Sequence, residues 1–207
     1  MSYLVASNVE ELQQQRKKLK GTVALVPTMG ALHQGHLHLV QLAKQHADYV
    51  IMSIFVNPTQ FAVNEDLNQY PRDLAGDLKK GASAGVDLFF TPTSEQMYPK
   101  GFDTWVIPDP TLTQNWEALS RPSHFRGVVT VVLKLLLLVQ PQYAIFGLKD
   151  YQQWLLIKKM VNDLNVSVQL IPSPIVREDS GLAMSSRNQY LSQEEYQTAI
   201  QIYQSLQ

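Results

Sequence analysis

The sequence predicts an α/β protein, in which a Rossmann-like domain with a doubly wound parallel sheet is followed by the start of a smaller α+β C-terminal domain that is truncated. Short apolar runs typical of buried strands alternate with segments of helical periodicity through most of the 207 residues. Polar or glycine-rich segments follow several of these runs. In open parallel sheets ligands bind beyond the carboxyl ends of the strands, so these segments are the candidate site.

The predicted elements follow one another along the chain. Ser7 and Glu10 have the spacing of a capping box and predict a helix that continues to about Lys18. Gly85 predicts the end of a helix over residues 72–84. Further helices are predicted around residues 37–43, over 128–139 and over 151–164, and strands over 22–26, 48–56, 86–90, 143–146 and 167–171.

A run of Pro-Ser-Pro at residues 172–174 interrupts this alternation and predicts a domain boundary. We expect residues 1–174 to form the first domain. Residues 175–207 are too few to bury a core of their own, yet Ser192 and Glu195 have the spacing of a second capping box, and the helix that it opens has no stop signal. The segment is therefore expected to be the beginning of a second domain that is incomplete in this chain.

Composition restricts the class of protein. A hydrophobic fraction of 45% and a charged fraction of 17% suit one or two globular domains, and a formal net charge of -1 provides no basic surface for nucleic acid. The absence of cysteine excludes a disulfide framework, a thiolate metal site and a cysteine nucleophile. We expect a cytoplasmic protein, because no signal peptide pattern is visible and the apolar run at 128–139 is too short to span a bilayer.

Residues 27–36, Pro-Thr-Met-Gly-Ala-Leu-His-Gln-Gly-His, carry the strongest functional signal. Glycines at the end of a buried strand let the backbone approach a ligand, and the free N–H groups of the following helix favour an anion. His33 and His36 lie three residues apart on the first helical turn, so they face the same way and can donate hydrogen bonds to a phosphoryl group. The pattern predicts a phosphate site.

Other interpretations of this segment stay open. A strand, a glycine turn and a helix that carries a histidine also occur for purely structural reasons in α/β proteins. A zinc site is disfavoured, because tetrahedral zinc needs more ligands than the segment supplies and the chain has no cysteine. His38 and His46 continue no motif and receive no role.

Polar segments also follow other predicted strands. Residues 57–61 (Asn-Pro-Thr-Gln-Phe) follow the second strand, and residues 147–153 (Gly-Leu-Lys-Asp-Tyr-Gln-Gln) follow a later one. Residues 184–188 (Met-Ser-Ser-Arg-Asn) add hydroxyls and a guanidinium of the kind that holds a polyphosphate. Their structural alternatives are, respectively, a turn, a solvated ion pair and an ordinary loop. The common position of these segments beyond strand ends favours a single ligand site.

Together these segments resemble the pantoate–β-alanine ligase (pantothenate synthetase) family of the nucleotidyltransferase-like superfamily, with its HxGH or HIGH motif. The resemblance covers essentially the whole chain and rests on six blocks in the family's order: 27–36, 53–61, 65–72, 121–128, 149–153 and 184–188. It implies a ligase of pantothenate biosynthesis that condenses (R)-pantoate with β-alanine. ATP is the implied substrate that activates pantoate as pantoyl adenylate, with AMP and diphosphate as products.

The resemblance implies roles for individual residues at the nucleotide end. His33, His36 and Lys149 are expected to be the catalytic groups. The residues expected to bind ATP are Met29, Gly30, His36, Gly147, Lys149, Asp150, Met184, Ser185, Ser186 and Arg187.

It also implies roles at the other end of the site. Gln60 and Gln153 are expected to bind pantoate from opposite sides. Asn57 and Tyr70 are weaker matches that would line the end occupied by pantoate and β-alanine. Asp150 is expected to lie near the nucleotide and Mg²⁺, the implied metal.

Family membership would make the chain a homodimer with small-molecule substrates, and with no nucleic acid or membrane partner. The first domain would bind ATP and pantoate, and the second would act as a lid.

Some matching residues gain no chemical step from the resemblance: Arg121, His124 and Arg126. The sequence departs from the family pattern at Leu148 and at residues 118–120, and neither departure affects a residue that is expected to contact a substrate.

Two alternatives to the ligase remain. An adenylyltransferase of the same superfamily would use the same HxGH motif. A nucleotide-binding fragment without turnover would result if the lid is truncated.

Overall fold

The computed structural model describes residues 3–62 and 65–207. Its strands are β1 (Leu4–Ala6), β2 (Val23–Thr28), β3 (Tyr49–Ile54), β4 (Leu88–Phe90), β5 (Tyr143–Gly147) and β6 (Gln169–Ser173). Its α-helices are α1 (Val9–Lys18), α2 (Gln34–His46), α3 (Leu74–Ala84), α4 (Ser94–Met97), α5 (Glu117–Ser120), α6 (His124–Val139), α7 (Tyr151–Asp163) and α8 (Gln193–Gln204). Short 3₁₀ turns lie at Pro58–Gln60, Asp66–Asn68, Pro110–Leu112, Leu148–Asp150 and Ser186–Tyr190.

The sheet confirms the predicted architecture. Its six strands are all parallel and lie in the order β1-β4-β3-β2-β5-β6. From β2 the chain moves outward to β3 and β4, and it later returns to the other side of β2 with β5 and β6. The strand order therefore reverses between β2 and β5, and ligands bind outside the carboxyl ends of strands at such a reversal.

Strand β2 lies inside the sheet and is buried on both faces. Val23 and Leu25 belong to one core cluster and Ala24 and Val26 to the other, as the alternation of side chains along a strand requires. Helices α1, α6 and α7 pack on the first face, and α2 and α3 pack on the second. Because both faces are covered, the strand reads in the sequence as an unbroken apolar run.

The start of α1 differs from the prediction. Asn8 caps the helix, because its Oδ1 accepts from the Glu11 N–H at 2.9 Å, and the Glu11 carboxylate accepts from the Ser7 N–H at 2.7 Å. The prediction that Ser7 caps this helix was therefore wrong by one residue. Asparagine is as good a cap as serine, so the sequence alone did not separate the two.

The other predicted elements are present with shifted ends. Gly85, at a φ of 109°, ends α3 as predicted, and Asp73 caps the start of that helix. Strand β1 was not predicted, because three residues carry no periodic pattern. Strand β6 runs through Pro172, where the sequence pattern placed a break, and an edge strand tolerates this proline. The capping box of Ser192 and Glu195 is confirmed at α8.

Helix α6 contains the apolar run at 128–139, and most of its side chains are buried in the core, as expected. Across residues 3–62 and 65–207, no helix combines the length and the apolar character that crossing a membrane requires.

The residues after β6 form a small unit around α8. Arg177 and Ala183 pair in an antiparallel bridge, and Cζ of Arg177 lies 3.7 Å from the ring centre of Tyr203 on α8. The Glu178 carboxylate accepts hydrogen bonds from the Tyr196 hydroxyl at 2.7 Å and from the Asn188 amide at 2.8 Å. These contacts hold α8 against the segment that carries residues 184–188.

Candidate active site

A cleft of about 240 Å³ lies where the strand order reverses, beyond the carboxyl ends of β2 and β5. Its walls come from the start of α2, the turns after β3 and β5, and the segment 184–187. The structure thus brings together polar segments that lie far apart in the sequence. The expected site residues that line the cleft are Met29, His33, His36, Asn57, Gln60, Tyr70, Gly147, Lys149, Asp150, Gln153, Met184, Ser185, Ser186 and Arg187.

Gly30, expected to contact ATP, is absent from the residues that line the cleft. Its φ of 87° lies in the left-handed region, and its N–H donates to the Thr28 hydroxyl at 3.3 Å. A Cβ at this position would lie 2.8 Å from the Asp77 carboxylate. Gly30 therefore shapes the turn that leads to the histidines.

Asp77 of α3 holds this turn and was missed from the sequence. Its buried carboxylate accepts from the N–H groups of Ala31 at 2.8 Å and Leu32 at 2.7 Å, and the Lys80 ammonium donates to the Leu32 carbonyl at 2.9 Å. Ala31 has a φ of 51°, which is uncommon for a residue with a side chain and needs such support. Helix α3 thus anchors the backbone that leads into His33.

His33 and His36 form a capping box at the start of α2, with histidine in both of its positions. His33 Nδ1 accepts from the Gly35 N–H at 3.1 Å, and His36 Nδ1 accepts from the His33 N–H at 3.3 Å. The two ring centres lie 4.0 Å apart. Because each Nδ1 is an acceptor, the proton of each neutral ring is assigned to Nε2, which leaves that N–H available to a ligand.

Both histidines are neutral near pH 7. The pKa of His36 is lowered to about 3, chiefly by burial and in addition by the nearby His33, Lys149 and Lys80. Burial also lowers the pKa of His33, again aided by Lys149 and Lys80 and opposed by Glu178. A neutral imidazole that carries its proton on Nε2 donates a hydrogen bond there, which suits the stabilisation of charge on a phosphoryl oxygen.

The low pKa of His36 makes the stability of the unliganded chain depend on pH. An unfolded histidine takes up a proton below about pH 6.5, whereas native His36 stays neutral down to about pH 3, so stability falls as pH falls through this window. From about pH 7 to about pH 5, we expect the free energy of unfolding to drop by about 2 kcal/mol more in the wild type than in His36→Gln. Urea titration measures both losses, and equal losses would contradict the expectation.

Gln60 and Asn57 lie side by side in the turn after β3, and both line the cleft. Gln60 Oε1 accepts from Asn57 Nδ2 at 3.1 Å, and Gln60 Nε2 lies 3.1 Å from Met29 Sδ. The Asn57 Oδ1 accepts from the hydroxyls of Thr59 at 3.0 Å and Tyr98 at 2.8 Å. Asn57 is buried and its amide is engaged with protein groups, so it fixes the orientation of the Gln60 amide. One N–H of the Gln60 NH₂ group donates to Met29 Sδ, which leaves the second N–H for a ligand.

Gln153 of α7 lines the cleft, whereas its neighbour Gln152 has a structural task. Gln152 Oε1 accepts from the Ala118 N–H at 3.2 Å, and its Nε2 donates to the carbonyls of Leu112 and Asn115 at 3.0 Å. Gln152 therefore fastens residues 112–118 to α7, whereas Gln153 lies in the cleft wall.

Residues 184–188 are tied to the segment around Tyr70. Arg187 makes two hydrogen bonds of 2.9 Å to the Asp66 carboxylate. The Ser186 and Tyr70 hydroxyls lie 3.1 Å apart, and the Arg187 N–H donates to the Ser185 hydroxyl at 3.2 Å. Asp66, which received no role from the sequence, thus fixes the guanidinium that lines the cleft.

Lys149 and Asp150 form an ion pair of 2.7 Å, with side chains that are 37% and 48% exposed, so both can meet a ligand. Within the part of the chain that the structure describes, no group of three or more histidine, aspartate or glutamate side chains could hold a metal on its own. Mg²⁺ commonly binds through one or two carboxylates and the phosphates of a substrate, and Asp150 suits that arrangement.

The fold and the position of the cleft together define an α/β enzyme of the nucleotide-binding class. The family model described as pantoate-beta-alanine ligase matches residues 4–207. The chain therefore belongs to the pantoate-beta-alanine ligase family, and it is an amide-forming ligase.

Relatives are similar over almost the whole chain. The pantothenate synthetase of Acetivibrio thermocellus is 52% identical over 200 residues, which cover 97% of this chain and 71% of the relative. A crystal structure of pantothenate synthetase from Thermus thermophilus has a TM-score of 0.94 and 50% identity, covering 98% of this chain and 73% of the other. The pantoate-beta-alanine ligase from Francisella tularensis, crystallised with beta-gamma ATP and beta-alanine, has a TM-score of 0.94 and 41% identity, covering 98% and 78%.

Proposed function

We propose that this chain uses ATP to condense (R)-pantoate with β-alanine, giving pantothenate, AMP and diphosphate through a pantoyl adenylate. The proposal rests on one observation: a single cleft joins two neutral imidazole donors and a lysine to a pair of neutral amides, Gln60 and Gln153. The first set suits a polyphosphate and the second suits a small hydroxy acid. The Francisella tularensis ligase, crystallised with beta-gamma ATP and beta-alanine, supports these substrates.

In the first step, a carboxylate oxygen of pantoate attacks the α-phosphorus of ATP and the bond to diphosphate breaks. Negative charge develops on the α-phosphoryl oxygens, where the Nε2–H groups of His33 and His36 donate hydrogen bonds. The Lys149 ammonium offsets charge on the phosphates. Both reacting groups belong to substrates, so the step needs positioning and charge stabilisation and no protein nucleophile.

In the second step, the amine of β-alanine attacks the acyl carbon of pantoyl adenylate. The bond from that carbon to AMP breaks, and the nitrogen loses a proton as the amide forms. Tyr70 lines the cleft at the end where we place β-alanine. Burial raises the pKa of Tyr70, so its hydroxyl stays protonated and can donate a hydrogen bond.

The remaining groups of the cleft hold the nucleotide. Asp150 would hold Mg²⁺, which when bound supplies positive charge to the phosphates. The hydroxyls and guanidinium of the 184–188 segment suit the triphosphate. Gly30 would contribute indirectly, because it shapes the turn that leads to His33 and His36. The residues that we assign to ATP binding are Met29, His36, Gly147, Lys149, Asp150, Met184, Ser185, Ser186 and Arg187.

We further propose that residues 1–174 form the core domain, that residues 175–207 belong to a lid, and that the chain works as a cytoplasmic homodimer. The position of residues 184–187 in the cleft wall supports a lid. Ile107, Trp116 and Leu119 are 75%, 73% and 70% exposed, and a dimer interface that covered them would remove their apolar surface from water. Sedimentation tests the dimer.

The products of the reaction test the proposed function. Purified chain given ATP, pantoate and β-alanine is expected to release AMP and diphosphate in equal amounts, together with the amide. Without β-alanine the reaction should stop after about one diphosphate per active site, because the adenylate has no amine to react with. Release of ADP and phosphate would contradict adenylate chemistry.

A further inference from the structure

The main-chain carbonyl of Gln60 is held by two side chains that the proposed reaction leaves unused. His124 Nδ1 lies 2.8 Å from this oxygen, and Arg121 Nη2 donates to it at 3.3 Å. His124 is the first residue of α6, and Arg121 follows α5. Both side chains therefore reach the turn at Pro58–Gln60 from a different part of the fold.

The hydrogen bonds define the state of His124. A carbonyl oxygen only accepts, so His124 Nδ1 carries the proton and donates. Nε2 of the neutral ring is then an acceptor, and the Arg121 Nη1 lies 3.3 Å from it. His124 is 6% exposed, and burial lowers its pKa, so the neutral ring is the form that packs here.

Arg121 is itself fixed by two carboxylates. Its Nε donates to Glu65 Oε1 at 2.9 Å, and its Nη1 donates to Glu117 Oε1 at 2.8 Å. These bonds leave Nη2 directed at the Gln60 carbonyl as well as at Glu65. A guanidinium that is held on three sides has little freedom to move, which favours a positioning task.

The same turn is also held by the backbone of α6. A Cβ at Gly127 would overlap the main chain of Thr59, so helix and turn are in direct contact. The Gly127 carbonyl accepts from Asn57 Nδ2 at 3.3 Å, and Asn57 Nδ2 also donates to the Gln60 side chain. Main chain and side chain of Gln60 are thus both fixed relative to α6.

We propose that Arg121 and His124 are positioning residues for the acid substrate: they hold the Gln60 carbonyl and thereby direct the Gln60 amide at pantoate. This rests on the proposed function, in which Gln60 binds pantoate. The proposal assigns a role to the block at residues 121–128, which would position Gln60 where pantoate binds.

His124→Leu tests the proposal, because leucine fills the space without a donor. We expect the KM for pantoate to rise about tenfold and the KM for ATP to stay within about twofold, since one hydrogen bond to the Gln60 turn is lost. His124→Asn should recover most of the loss, because its Nδ2 can take the place of the histidine Nδ1. Thr130→Val, a buried change on the same helix that removes bonds to Arg126 and Val106, is the matched control and should alter neither KM.

A double-mutant cycle separates positioning from a general loss of structure. In a Gln60→Ala background, His124→Leu should change the pantoate KM no further, because its effect acts through Gln60. Additive effects, an equal rise in both KM values, or no rescue by His124→Asn would overturn the proposal. If the wild type releases no AMP, the proposed function itself fails. If Gln60→Ala leaves the pantoate KM unchanged in an active enzyme, only the assignment of Gln60 and its positioning residues fails.

Discussion

Replacing His36 by alanine is expected to lower the rate of adenylate formation by about 10²–10³-fold, the usual effect of removing one preorganised donor from a developing oxyanion. His36 presents a neutral Nε2–H to the cleft, because its Nδ1 is occupied by the His33 N–H at 3.3 Å. Burial holds its pKa at about 3, so no proton has to leave or arrive before it donates. The rate at which pantoyl adenylate forms in a single turnover measures this step directly.

The fold is expected to survive this change. One bond of the capping box is lost, which costs about 1 kcal/mol, while Asp77 still holds the preceding turn. His38→Ala is the matched control, since His38 lies on the same helix, and it should keep the wild-type rate. A wild-type rate for His36→Ala would remove this histidine from the mechanism.

Lys149→Met is expected to lower the rate of the first step by about 100-fold, because a charge-assisted contact to the phosphates is lost. Methionine keeps most of the length of the side chain and removes its charge. Lys149 also forms an ion pair with Asp150 at 2.7 Å, so the variant leaves an uncompensated carboxylate beside the triphosphate. Rapid quench with saturating ATP and pantoate separates the effect on the rate from the effect on binding.

Lys159→Met controls for the loss of a lysine from the same region. Lys159 lies on α7 and pairs with Asp163 at 2.6 Å, and its loss should leave the rate of the first step unchanged. If Lys149→Met raises only the KM for ATP at constant kcat, Lys149 binds the ground state and the transition state equally, and its catalytic role is refuted.

The parts of the molecule with local signals could be predicted from the sequence. Strand β2 is an unbroken apolar run because both of its faces are buried, and Gly85 ends α3 because glycine tolerates the left-handed conformation. The pairing of His33 and His36 is equally local, since the two residues are neighbours on one helical turn.

The support of the site depends on contacts between distant residues and could not be predicted. Asp77 lies 45 residues from Leu32, and its tie to the turn leaves no pattern in either segment. His124 lies 64 residues from Gln60, so nothing in the sequence indicated their contact. His124 could therefore be assigned to a family block but to no step of the reaction. The family resemblance placed Asn57 at the pantoate and β-alanine end of the site, and Asn57 does line the cleft. The hydrogen bonds that tie its amide to Gln60 and Tyr98 leave no pattern in the sequence.

Transfer of oxygen from pantoate to AMP tests the central claim, that the cleft activates a carboxylate at the α-phosphate. Pantoate labelled with ¹⁸O in its carboxylate is turned over with ATP and β-alanine, and the phosphate-containing products are analysed by mass spectrometry. Attack at the α-phosphorus leaves one labelled oxygen in AMP when the amine displaces it, and no label in diphosphate. Unlabelled AMP, or label in inorganic phosphate released with ADP, would contradict the claim.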